Sequence, residues 1–204
     1  MLRLLIPKTN GRCAQLVALA ALCSGYLTGL LATSTALAYD DYDKECHRPY
    51  SGGSSWLYVS YANDPFYPPG TIYQPVYDAS RADWHNSPTP LLFTYSSQTQ
   101  WLFGAKFFGA NGKAGLTNYT CNGAAGAMDT AHAWANRTYS DGYSVFTQQA
   151  IITHELGHYV GLGHSNYRAI MGVNDGSFNG TLSDDWCGIN HIYPNTVWPP
   201  QCGY

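Results

Sequence analysis

Three histidines and one glutamate lie close together in the second half of the chain, in the sequence His-Glu-Leu-Gly-His-Tyr-Val-Gly-Leu-Gly-His. If this stretch is helical, His154 and His158 are one turn apart and their side chains leave the same face. Two imidazoles on one face can bind one zinc ion, and Glu155 can reach a water molecule beside that ion. These residue types therefore indicate a catalytic metal site with a carboxylate base.

A third ligand is expected at His164, six residues beyond His158. A continued helix would direct it away from the other two histidines. Gly161 allows the chain to leave the helix, because glycine tolerates a positive φ, and the chain can then turn back. Three nitrogen ligands with one open position are what a catalytic zinc requires. We therefore predict that His154, His158 and His164 bind one zinc ion.

The expected chemistry is hydrolysis of a peptide bond. Zinc lowers the pKa of a bound water molecule to about 7 and polarises a carbonyl oxygen. Glu155 would take the proton of the attacking water and pass it to the leaving amine. Glu45 and Glu155 are the only glutamates in the chain, so finding one inside this pattern argues against coincidence. The second possibility is a secreted binding or structural protein that keeps zinc without turnover, although such a protein needs no base.

The pattern from His154 to His164 resembles that of the metzincin zinc peptidases. Met171, seven residues after the third histidine, fits the methionine turn of that family. Ser165 is the residue typical of the matrixin branch, which contains the matrix metalloproteinases. Residues 182–193 resemble the matrixin C-terminal helix, and residues 78–93 resemble a matrixin helix that leads into a strand. A metzincin outside the matrixin branch is the alternative among enzymes.

The resemblance covers about residues 56–193 and implies a mixed α/β (α+β) catalytic domain of the zincin type. Such a domain has a twisted, mostly parallel five-stranded sheet, a long active-site helix and a C-terminal helix. Its cleft binds an extended peptide as an added strand. The implied function is that of a secreted, monomeric zinc endopeptidase with Glu155 as the catalytic residue and one zinc ion.

The elements that must position the site follow from local patterns. Strand-like alternation or β-rich composition precedes the histidine pattern, and helical signals lie between the strands and after them, which favours a mixed α/β domain. The predicted strands are residues 56–61, 91–95, 105–108 and 125–135. The predicted helices are residues 77–84, a helix capped by Ser144 or Thr147 that runs through Leu156, and a last helix that opens with a capping box at 181–184 and ends near Tyr193.

The first forty residues differ from the rest of the chain. A basic start precedes an apolar run over residues 14–31, and Ala36 and Ala38 are small residues at the positions read by signal peptidase. We predict a signal peptide over residues 1–38, a short polar leader over 39–55 and a catalytic domain over 56–204. The alternative is an uncleaved membrane anchor, which the Ser, Thr and Gly residues within the run disfavour.

The distribution of charge along the chain agrees with a division between a signal peptide and an exported domain. The predicted signal holds three of the ten basic residues and none of the thirteen acidic ones, so the remaining chain has a net charge of −6. That balance argues against a nucleic-acid partner, and no membrane association is expected after the signal is removed. The long basic signal and the lack of a matrixin prodomain favour a bacterial secreted member.

Four cysteines remain after the predicted cleavage: Cys46, Cys121, Cys187 and Cys202. In an oxidising compartment they predict two disulfides with three possible pairings. Because the matrixin prodomain switch is missing, the alternative is that Cys46 caps the zinc as a thiolate.

Two further stretches are candidate metal sites. His132 lies in a stretch that resembles the matrixin strand with a structural-zinc histidine, but the other ligands of that site are not recognisable, so we predict a strand histidine near the cleft. Residues 174–176, Asn-Asp-Gly, could bind calcium, although a plain turn is favoured. The loop after Met171 departs from the family pattern, so substrate specificity does not carry over.

Overall fold

The computed structural model describes residues 46–48, 56–122, 127–172 and 177–194. The predicted signal peptide, most of the predicted leader, the calcium candidate at 174–176 and Cys202 lie outside these residues. No helix in the described parts of the chain combines the length and apolar character needed to cross a bilayer.

Among the described residues, five strands form one sheet in the order β2-β1-β3-β5-β4. The strands are β1 (Leu57–Asn63), β2 (Leu91–Tyr95), β3 (Trp101–Lys106), β4 (Gly115–Asn122) and β5 (Ala127–Asn136). β1 is parallel to β2 and β3, and β3 is parallel to β5, whereas β4 is antiparallel to β5. The mostly parallel five-stranded sheet that the family resemblance implied is therefore confirmed.

In the described part of the chain, four helices accompany the sheet: α1 (Gly70–Asn86), α2 (Arg137–Ser140), α3 (Val145–Tyr159) and α4 (Ser183–Ile192). α3 packs against α1, β4 and β5, which places the histidine pattern beside the edge of the sheet. The small side chains of Ala131, Ala133 and Ala135 are fully buried on β5. They leave room for the close approach of the helices.

Several element boundaries differ from prediction. α1 begins seven residues earlier than expected and includes Pro75. One face of it is buried at helical spacing, through Tyr73, Val76, Tyr77 and Trp84, and this apolar face outweighs the helix-breaking tendency of the proline. β3 begins at Trp101 and not at residue 105, because the alternating residues 101, 103 and 105 face the core. β4 was not predicted, since most of its residues are polar and partly or fully exposed.

The last helix also begins differently from the predicted capping box. Its first residue is Ser183, and the Asp185 carboxylate, not that of Asp184, accepts a hydrogen bond from the backbone N–H of Leu182 at 2.8 Å. The Thr181 hydroxyl instead accepts from the Trp186 indole at 2.9 Å. The capping acid therefore lies one residue later than predicted.

An aromatic core fixes the position of α3. Phe103 stacks between Tyr61 and Tyr77, with ring centroids 4.8 and 4.9 Å away, and it also contacts Tyr159 at the end of α3 at 4.9 Å. The buried Trp84 indole of α1 donates to the Thr153 carbonyl of α3 at 2.9 Å. Rings of this size supply much of the buried apolar area of a core, so these contacts hold the residue before the first histidine in place.

Residues 46–48 pack against this domain. Cys46 is 2% exposed and forms a disulfide with Cys121 at the end of β4, with a Cα–Cα distance of 5.6 Å. The Arg48 guanidinium lies 3.4 Å from the centroid of the Trp101 ring. A cysteine in a disulfide has no thiolate to offer, so the idea that Cys46 caps the zinc is wrong. Cys187 is also disulfide-bonded.

Candidate active site

Helix α3 carries His154, Glu155 and His158. The Ser144 side chain caps its start by accepting from the Thr147 N–H at 3.2 Å. The helix ends at Tyr159, and Gly161 then has a φ of +98°, a value that glycine tolerates and other residues rarely adopt. The backbone N–H of Leu162 turns back to the Gly157 carbonyl at 3.0 Å. This turn is the one that the sequence predicted at Gly161.

The turn brings His164 back to the helix. Ligand atoms of His154, His158 and His164 all lie within 4.8 Å of one another. Their ring centroids are 4.7 Å apart for His154–His158, 4.7 Å for His158–His164 and 5.2 Å for His154–His164. Among the described residues this is the one group of three such side chains that could hold a metal ion.

Hydrogen bonds orient two of the imidazoles. The Nδ1 atom of His154 is 2.7 Å from the Ile170 carbonyl, and Nδ1 of His158 is 2.7 Å from the Leu162 carbonyl. Because a carbonyl only accepts, Nδ1 carries the proton in both rings and Nε2 keeps its lone pair. Burial lowers the pKa of His154, and burial together with the neighbouring His154 lowers the pKa of His158 to about 3. Both rings are therefore neutral near pH 7, as zinc ligands must be.

The Glu155 carboxylate lies against strand β4 and is 7% exposed as a residue. The Thr117 hydroxyl is 2.6 Å from its Oε2 and 2.9 Å from its backbone carbonyl. A Cβ added at Gly115 would lie 2.6 Å from Oε1, so glycine leaves the space that the carboxylate needs. Burial raises the pKa of Glu155 to about 7, while the Thr117 hydrogen bond and the charge of Lys113 act in the opposite direction.

Met171 lies directly beneath the helix and is 1% exposed. A Cβ added at Gly157, between the two helical histidines, would overlap its sulfur. The Asp185 carboxylate of α4 accepts from the backbone N–H groups of Ile170 at 2.9 Å and Met171 at 3.0 Å. The last helix thus holds the methionine turn whose Ile170 carbonyl orients His154.

A cavity of about 490 Å³ opens at the histidines, between the start of β4 and helix α3. Its apolar wall includes Leu116, Ala150 and Ile151. Of the described residues that line it, Lys113 is the one lysine or arginine and Glu155 the one acid. A cavity with this mixture of apolar wall and few polar groups is typical of a ligand site.

Comparison with known proteins identifies the family to which this chain belongs. The family model described as Matrixin matches residues 92–194, about half of the chain and all of the histidine pattern. The chain belongs to the matrixin family. Among solved structures, this matrixin is similar to high choriolytic enzyme 1, a hatching enzyme zinc-protease from the medaka fish Oryzias latipes. The two share 13% sequence identity with a TM-score of 0.50, over 78% of this chain and 100% of the other, a likeness that supports the fold. A search of curated proteins returned no match.

The family membership confirms several predictions. This matrixin is a zinc metalloendopeptidase with a mixed α/β fold, and the alternative of a metzincin outside the matrixin branch is excluded. His132 is a strand histidine as predicted, but it is not among the described residues that line the cavity at the three histidines. It lies on β5, packs on the Trp134 ring at 5.1 Å and borders a second cavity of about 350 Å³, where β1, β2 and β3 meet.

Thr117, Gly115 and Asp185 are the site residues that sequence reasoning missed. Thr117 contacts a residue 38 positions away in the chain, and no spacing rule connects two such elements. A prediction of β4 as the edge strand beside the active-site helix would have indicated it, but that strand lacks a clear alternation.

Proposed function

We propose that this matrixin cleaves internal peptide bonds of proteins, with His154, His158 and His164 as zinc ligands and Glu155 as the general base. The observation that supports the proposal is the convergence of three imidazoles beside one buried carboxylate. His154 and His158 keep Nε2 lone pairs for a metal, and imidazole nitrogen suits zinc.

When bound, zinc polarises the scissile carbonyl and lowers the pKa of a water molecule. Glu155 accepts the proton of the attacking water on its carboxylate and then donates it to the nitrogen of the leaving amine. The Thr117 hydroxyl holds Oε2 and thereby fixes the direction of the other carboxylate oxygen. Glu155 therefore holds the proton between the attack of the water and the departure of the amine.

Substrate binding is assigned to strand β4. It is the last strand of the sheet and pairs on one side with β5. Its other edge can hydrogen-bond an extended peptide as an additional strand. The apolar cavity beside α3 would then receive one substrate side chain, since Leu116, Ala150 and Ile151 line it.

Export is part of the proposal. The sequence over residues 1–38 has the order of a signal peptide, and the Cys46–Cys121 disulfide is typical of proteins in oxidising compartments. We therefore propose a secreted monomer with a catalytic domain over residues 56–204, which acts on peptide and protein substrates and not on nucleic acid or membranes.

The decisive experiment is cleavage of a denatured protein by the secreted form, with and without a chelator. We expect activity that the chelator abolishes and that zinc restores, with about one zinc per chain. Glu155→Ala should retain zinc and lose cleavage, whereas His164→Ala should lose tight zinc binding. His132→Ala is the matched control and should keep both properties. Full activity in Glu155→Ala would contradict the assigned base, and zinc binding without any cleavage would favour a protein that keeps zinc without turnover.

A further inference from the structure

Lys113 differs from the other cations of the described chain in forming no ion pair, side-chain hydrogen bond or ring contact there. The other five described lysines and arginines each contact a carboxylate, a hydroxyl or an aromatic ring. These contacts are Arg48 over Trp101, Arg81 with Asp78, Lys106 over Tyr67, Arg137 with Asp141 and Arg168 with Ser177. Lys113 hydrogen-bonds within the described residues through its backbone only. Its ammonium group is therefore available to form an ion pair with a ligand.

The position of Lys113 indicates which ligand that is. It is exposed and borders the cavity that contains the three histidines, two residues before β4 begins. A peptide added along β4 would run past this residue and the three histidines, because all of them line the same cavity. Glu155 is the one acidic side chain among the described residues of the cavity, and it is buried against Thr117. A substrate carboxylate would therefore meet, at the cavity rim, a cation that acts on Glu155 through its charge but forms no ion pair with it.

The backbone beneath this lysine is held in place. The fully buried Asn136 carboxamide donates to the Lys113 carbonyl at 2.7 Å and to the Gly109 carbonyl at 3.2 Å. The Lys113 N–H donates to the Asn111 side chain at 3.0 Å. The backbone of Lys113 is thus held in one place, while its ammonium group remains in solvent. Fixing the backbone in advance reduces the entropy that binding must otherwise cost.

We propose that Lys113 binds a substrate carboxylate, so that this peptidase prefers substrates with a negative charge close to the scissile bond. The inference rests on the proposed function, because it assumes a peptide aligned along β4. An exposed ion pair is weak, so the preference should be about three- to fivefold in kcat/KM at low salt. It should shrink at high salt, because exposed charges are screened.

The test uses matched pairs of fluorogenic peptides that carry Glu or Gln at one of three positions on either side of the bond. All have blocked ends, so that the carboxylate comes from a side chain. A second set with a free C-terminal carboxylate at varied distance from the bond asks whether a chain end is the preferred source. The kcat/KM ratio for Glu over Gln is measured at about 0.02 M and about 0.5 M salt.

We expect one position at which the ratio is about three to five in the wild-type enzyme and falls at high salt. Lys113→Met should bring it to about one, Lys113→Glu below one, and Lys113→Arg should preserve it. Lys106→Met removes the same charge on a strand away from the cavity and should leave the ratio unchanged. A charge preference confined to free chain ends would support Lys113 as the carboxylate site and identify the source.

Two results would overturn the inference. One is a ratio near one at every position and for both carboxylate sources. The other is a preference that Lys113→Met leaves intact. In either case, chelator-sensitive cleavage of the Gln peptides would still support the proposed function, so the two failures are distinguishable. Absence of cleavage of every peptide would overturn both.

Discussion

Replacement of Gly157 by alanine tests whether Met171 supports the metal site through direct packing. Gly157 lies on α3 between His154 and His158. The added Cβ would overlap the Met171 sulfur and lie 3.0 Å from Cε and 3.2 Å from Cγ. Non-bonded carbon atoms normally approach to about 3.5–4.0 Å, so three consecutive atoms of one buried side chain would have to move.

Two opposing contributions set the magnitude. Alanine improves helix propensity by about 1 kcal/mol relative to glycine. Overpacking of a closed core costs about 1–3 kcal/mol, and the upper part of that range applies here because Met171 is 1% exposed and its N–H is held by Asp185. We expect Gly157→Ala to lower the free energy of unfolding by about 1–2 kcal/mol. Displacement of the turn that orients His154 should also weaken zinc binding about tenfold.

The assay is denaturant unfolding of the metal-free protein, with zinc affinity measured by competition with a coloured chelator. Gly142→Ala is the matched control, since its added Cβ would meet only the Tyr139 carbonyl, at 3.5 Å. Met171→Ala introduced with Gly157→Ala should restore space, so the double variant should lose less stability than the two single losses combined. A Gly157→Ala protein as stable as the wild type, with unchanged zinc affinity, would refute the reasoning.

Three further predictions concern neighbouring groups. Thr117→Val removes the donor to Glu155 Oε2, which is 2.6 Å away. We expect kcat to fall about tenfold or more with a smaller change in KM, because hydrogen bonds to charged groups contribute about 1.5–3 kcal/mol; Thr117→Ser should retain most activity in the same steady-state assay. Asp185→Ala removes the acceptor of three backbone N–H groups and should lower the free energy of unfolding by about 3 kcal/mol or more in denaturant melts. In metal-free protein, the raised pKa of Glu155, about 7, makes its contribution to stability fully present below about pH 4.5 and lost as the pH rises through 7. Relative to Glu155→Gln, the wild type should therefore lose about 3 kcal/mol between those pH values in urea melts.

Each of these three predictions would be contradicted by a particular result. Equal kcat in Thr117→Val and the wild type would show that the hydroxyl does not orient the base. An Asp185→Ala protein of unchanged stability would mean that α4 does not hold the methionine turn. A stability difference between wild type and Glu155→Gln that does not vary with pH would contradict the buried, proton-retaining state of this carboxylate.

The sequence by itself determined the features that depend on residues a few positions apart. The helical spacing of His154 and His158, the turn at Gly161 and a helix cap at Ser144 or Thr147 all follow from backbone geometry over one or two turns. Strand β2 has the predicted bounds, Leu91–Tyr95, because Pro90 and the polar residues after Tyr95 bracket a short apolar run. Together with Met171, these local signals were sufficient to indicate the family.

The tertiary structure alone decided which distant residues complete the site. Thr117 and Gly115 meet Glu155 because β4 lies beside α3 at the edge of the sheet, and its mixed, half-exposed residues carry no periodic signal. Composition left three disulfide pairings open, and proximity joins Cys46 to Cys121, whose Cα atoms are 5.6 Å apart. Contacts between residues far apart in sequence depend on how the elements pack together, and no local pattern encodes that packing.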